Sequence, residues 1–137
     1  MQLTSKELPN GIRIVHQEIP HTRLVHCGFI LNIGSRDENQ EQEGLAHFWE
    51  HMAFKGTQKR KTFHILNRLE SLGGELNAYT TKEKVCFYAS VLKEHYAKAA
   101  ELLYDITFHS TFPEKQIERE RQVILEEMAM YRDSPDD

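Results

Sequence analysis

Two glutamates sit where a soluble helix should be apolar, and this constrains the fold more than any other feature of the chain. The segment that Pro113 opens, running to about Tyr131, has helical periodicity. Its inward stripe reads Ile117, Glu120, Ile124, Glu127, Met128 and Tyr131, while Arg119, Gln122 and Glu126 fall on the far side. Glu120 and Glu127 therefore stand two turns apart in an apolar row. An ionised carboxylate does not enter a core unpaired, because losing its water costs more than packing returns. The rest of the chain must bring each of them a cation, a hydrogen-bond donor or a metal ion. Arg68, Arg121 or a lysine would serve as an ordinary ion-pair partner.

A metal would serve as well, and an earlier segment is suited to hold one. A helix is expected from about Gly44 to Phe54, with Leu45, Phe48, Trp49 and Met52 on its packed side. His47, Glu50 and His51 fall on the other side. Residues four apart on a helix stand one above the other, so the two imidazoles can reach one cation. The spacing H-x-x-E-H is the inverted form of the H-E-x-x-H zinc motif. Zinc accepts imidazole nitrogen and carboxylate oxygen, and three such ligands leave a position for water, whose pKa the ion lowers. A neighbouring carboxylate can then take the proton and pass it to a leaving amine. With eight histidines in the chain, these five residues also fit a solvated polar face. Glu127 as a third ligand, and Glu120 behind a ligand histidine, would satisfy both buried carboxylates at once.

The remaining pattern gives the fold class. Leu3 to Leu8 and Ile12 to Glu18 read as strands around the turn Pro9-Asn10-Gly11, and Leu24 to Ile33 reads as a longer buried strand. Gly34 to Glu43 is polar and loop-like. A second helix runs from Thr62, a good N-cap, to Gly73-Gly74, with Ile65, Leu66, Leu69 and Leu72 as its buried stripe. Strands follow over Glu75 to Thr80 and Val85 to Leu92. A helix over about Lys93 to His109 then has Tyr96, Ala99, Leu103 and Ile106 at core spacing. The order βββααββαα predicts an α+β fold, a mostly antiparallel sheet packed by helices.

The 137 residues bound the chain to one domain. A net charge of -4 and no basic patch argue against nucleic acid, and Lys59-Arg60-Lys61 reads as a solvated turn. No apolar run approaches the length of a membrane span. Cys27 and Cys86 lie in apolar strand-like runs and read as two buried free thiols of a reducing compartment, with a disulfide between them as the alternative. With no apolar segment after Met1, a cytoplasmic protein is expected.

Three stretches together carry a resemblance. The first is Gly34-Ser35-Arg36-Asp37-Glu38 with Gly44-Leu45-Ala46-His47-Phe48-Trp49-Glu50-His51-Met52-Ala53-Phe54-Lys55-Gly56-Thr57. The second is Gly73-Gly74-Glu75-Leu76-Asn77-Ala78-Tyr79-Thr80, and the third is Arg119-Glu120 with Val123 and Glu127. The chain closely resembles the inverzincin peptidases of the pitrilysin, insulin-degrading enzyme and mitochondrial processing peptidase family, over nearly its whole length.

The resemblance implies one zinc per chain, with His47, His51 and Glu127 as ligands, Glu50 as general base and Glu120 as the carboxylate behind a ligand. It implies that Asn77 and Ala78 lie on a strand along which an extended peptide docks, near the scissile bond. The implied activity is zinc-dependent endopeptidase cleavage of extended peptides or unfolded polypeptides. A non-catalytic family subunit that binds peptide or a partner half is the alternative. Family members are built from several homologous domains, so residues 1–137 are expected to be a single partial N-terminal catalytic domain. A C-terminal half is then missing, and a homodimer or sister subunit is expected. Trp49 stands where an aliphatic is usual, and Val85 where threonine is common; neither is expected to touch the metal.

Overall fold

The computed structural model describes residues 2–133. Two strands, β1 (Leu3–Glu7) and β2 (Arg13–Gln17), form a separate hairpin. Its turn is closed by Leu8 N–H donating to Ile12 O at 2.8 Å, and Gly11 takes φ 89°, a left-handed conformation that glycine adopts without strain. A three-stranded antiparallel sheet follows, from β3 (Leu24–Leu31), β4 (Glu75–Thr80) and β5 (Val85–Leu92), in the spatial order β3-β5-β4. Four helices complete the fold: α1 (Leu45–Met52), α2 (Thr62–Glu70), α3 (Tyr96–Phe108) and α4 (Glu114–Asp133). The expected α+β class and element order hold. The polar segment after β3 contains two short 3-10 turns, Ser35–Asp37 and Gln40–Gln42. No helix among the described residues is long and apolar enough to cross a membrane.

The central strand explains where the core sits. Val85, Phe87, Ala89 and Val91 alternate along β5 on one face and are almost completely buried. Phe87 pairs with Phe29 on one side and Ala78 on the other, so this row continues across the sheet. Ile65 and Leu69 of α2 cover it, with Ala99, Leu102, Leu103 and Ile106 of α3. From α1 the ring of Trp49 stands edge-on to Phe87 at 5.5 Å, so this unusual residue is spent on packing. Cys27 lies on the core face and Cys86 on the opposite one. Both are free, and burial pushes the Cys27 thiol up.

The helix faces depart from their sequence stripes in four places. Leu45, Leu66, Tyr96 and Tyr131 were expected inside, yet all are at least half exposed. Leu45, Tyr96 and Tyr131 lie in terminal turns, beyond what stands over the helix. Leu66 is about 100° around α2 from Ile65, on the flank of the stripe. Thr62 is the first helical residue; Lys61 takes the N-cap position and makes no side-chain cap bond.

Arg60 also departs from a solvated turn. Its guanidinium donates to Asp105 at 2.8 Å and to both carboxylate oxygens of Glu101, and its side chain is only 14% exposed. Thr57 Oγ1 donates to the same Asp105 oxygen at 2.7 Å. Asp105 is buried, so Arg60→Met would strand a carboxylate in the core. We expect a loss of about 3 kcal/mol in urea unfolding. The hydrogen bond from Arg60 holds the Glu101 carboxyl below its usual range, against burial that raises it. A depressed folded pKa gives stability that is complete above the unfolded value, about 4.3, and is lost as pH falls through the folded value. The deficit of Arg60→Met should therefore shrink below that window.

Candidate metal centre

The polar face of α1 is aimed by what holds the helix at its start. Gly44 precedes α1 with φ 89°. Both oxygens of Glu38 accept from this terminus, Oε2 from Gly44 N–H and Oε1 from Ala46 N–H, each at 2.8 Å. A carboxylate there satisfies orphan amides and opposes the positive end of the helix dipole. With the packed side committed to the sheet, His47 and His51 face α4, while Glu50 meets Thr80 of β4.

Helix α4 crosses in the opposite sense. Glu120 meets His51, Glu127 meets His47, and Met128 lies against Gly44. The His47 and His51 rings stand 4.7 Å apart. Three donor atoms converge: His47 Nε2 to His51 Nε2 is 3.0 Å, His47 Nε2 to Glu127 Oε2 is 3.1 Å, and His51 Nε2 to Glu127 Oε2 is 3.6 Å. Among the described residues these three are the one group of histidine, cysteine, aspartate or glutamate side chains that converges in this way. Ligands about 2.05 Å from a tetrahedral zinc ion lie roughly 3.3 Å from one another, so the observed edges bracket what zinc requires. Two imidazoles and a carboxylate also match its preferred donors. The three side chains are between 21% and 37% exposed, so the group is partly open to solvent.

Glu120 stands behind this triangle. Its Oε2 lies 2.8 Å from His51 Nδ1, and its Oε1 is 3.1 Å from Lys55 Nζ. Burial pushes the Glu120 carboxyl up, but hydrogen bonds from His51 and Lys55, with the lysine charge, more than offset it and leave it below the usual range. As an acceptor it draws the His51 proton to Nδ1, so the Nε2 lone pair points into the triangle. Both suppliers weighed from the sequence are present here, a histidine and a lysine.

Lys55 was not singled out from the sequence, although it follows His51 by four residues. Nor was Thr80, whose hydroxyl donates to Glu50 Oε2 at 2.5 Å. The alternation of β4 places Thr80 on the same inward face as Ala78, which could have pointed to it. Asn77 is exposed on the other face. Among the described residues β4 is an edge strand, paired with β5 alone.

Two imidazoles on one helix and a carboxylate from a second make a donor set that could hold a metal ion, and the His47, Glu50, His51 spacing is that of the inverted zinc motif. Residues 13–137 match the family model described as Insulinase (Peptidase family M16), and the chain belongs to that family. It is 45% identical over 128 residues to the uncharacterised zinc protease YmxG of Bacillus subtilis (strain 168), covering 93% of this chain and 31% of that protein. The crystal structure of a protease from Helicobacter pylori aligns with a TM-score of 0.91 at 26% identity, covering 96% of this chain and 32% of its own. Pitrilysin aligns with a TM-score of 0.84 at 27% identity, covering 96% and 14%. The chain thus spans about a third of the length of the zinc protease it matches.

Proposed function

We propose that the chain carries the zinc-holding and proton-moving residues of an endopeptidase that cleaves extended or unfolded polypeptides. The convergence of His47 Nε2, His51 Nε2 and Glu127 Oε2 carries this reading. These three would hold one zinc ion per chain, with Glu120 fixing the orientation and tautomer of His51. Bound there, zinc supplies Lewis acidity that acidifies a water and polarises a peptide carbonyl. Glu50, beside His51 on the open face of α1, would take the proton from the attacking water and deliver it to the departing amide nitrogen.

The edge of β4 would offer unpaired backbone groups to a substrate that adds as a strand, along Asn77 and Ala78. Only an extended backbone can pair in this way, so folded substrates would be excluded. The remainder of a longer protein, a second copy or a sister subunit would close the far side of the cleft. Treating the full-length protein with a chelator should abolish hydrolysis of an unstructured peptide, and stoichiometric zinc should restore it. Hydrolysis that persists at full rate without metal would contradict the reading. Zinc binding with no hydrolysis of any peptide would favour a peptide-binding subunit.

A further inference from the structure

Glu50 can act as a base only if its carboxylate is held in one place, and α1 alone does not hold it. A glutamate side chain has three rotatable bonds, and Glu50 is only half-buried on the polar face of its helix. Thr80 supplies the restraint through its hydroxyl, which donates to Oε2 at 2.5 Å. Thr80 is the last residue of β4, where its backbone pairs with the fully buried Val85. Its β-branched side chain has little freedom about χ1, so the strand sets the direction of the hydroxyl.

The strand end is itself anchored to α1. The β4–β5 turn is closed by Thr81 N–H to Lys84 O at 2.8 Å. Gly34 presses against this turn so closely that a Cβ would lie 2.6 Å from the Lys82 carbonyl. Arg36 N–H donates to Lys82 O at 3.0 Å, and its guanidinium donates to Glu83 at 3.1 Å. Two residues later Glu38 caps α1. The segment from Gly34 to Gly44 therefore ties the turn to one end of the helix, and the Thr80–Glu50 bond is a second link between the same strand end and α1.

We propose that Thr80 is a positioning residue for Glu50, fixing one carboxylate oxygen and leaving Oε1 free as the proton acceptor. The inference rests on Glu50 being the base, and it makes β4 the element that sets the base as well as the edge beside it. Thr80→Val keeps the shape and branching of the side chain and removes the donor. In the full-length protein acting on an unstructured peptide, it should lower kcat by about 10- to 100-fold, the scale of a hydrogen bond to a charged group. KM and zinc affinity should not change, and Thr80→Ser should restore turnover. A crystal structure of zinc-free Thr80→Val should show the Glu50 carboxylate displaced.

Wild-type kcat in Thr80→Val, a loss that serine does not restore, or a fall in zinc affinity large enough to account for the loss would each overturn the positioning role. Glu50→Gln, measured alongside, separates the two layers. If it is inactive while Thr80→Val is fully active, the positioning role alone fails. If it is fully active, the assignment of the base fails.

Discussion

Glu50→Gln is expected to retain zinc at the wild-type level and to lower kcat/KM on an unstructured peptide by about 10²- to 10⁴-fold, the usual worth of a general base. Glutamine has the same shape, and its amide oxygen can still accept from Thr80. It cannot take a proton. Glu50 lies outside the donor triangle, so metal binding should not register the change. Parallel assays of zinc content and steady-state hydrolysis on the full-length protein check both halves of the prediction. Undiminished hydrolysis would remove Glu50 from the role assigned to it, and loss of zinc would move it into the triangle.

His47→Ala acts on the metal itself. A four-ligand zinc site binds with about 10–16 kcal/mol, so one ligand is worth roughly 3–4 kcal/mol, or about 10²- to 10³-fold in affinity. His47 is suited to this test because its Nε2 contacts His51 and Glu127 and its removal leaves the Glu120 pairings intact. Glu126→Ala, on the exposed outer side of α4, should bind zinc as the wild type does. Competition with a chromophoric chelator measures both variants. Equal affinity in all three proteins would show that zinc is held elsewhere.

Much of this site was legible along the chain. The four-residue step from His47 to His51 and the placing of Glu120 and Glu127 on an inward stripe follow from the helical repeat alone. That repeat cannot say what stands opposite. The crossing of α1 by α4 decides that Glu127 meets His47 while Glu120 meets His51, and that crossing is a tertiary fact. Lys55 escaped notice for a related reason. It lies past the last residue of α1, so its contact with Glu120 depends on how the chain leaves the helix. Thr80 is separated from Glu50 by thirty residues, and only the packing of α1 over β4 brings them together. Periodicity also identifies the side of a helix that faces inward without saying how far the cover extends, hence the exposed Leu45, Tyr96 and Tyr131. Arg60 looked like a solvated cation because its partners, Glu101 and Asp105, lie more than forty residues away on α3.

Anomalous diffraction at the zinc absorption edge, from crystals of the full-length protein grown with zinc, tests the central claim most directly. The account predicts one peak per chain, about 2.0–2.2 Å from His47 Nε2, His51 Nε2 and a Glu127 carboxylate oxygen, with Glu50 beside it and outside the ligand set. A peak at other residues, or a zinc ion that leaves Glu127 uncoordinated, would contradict it.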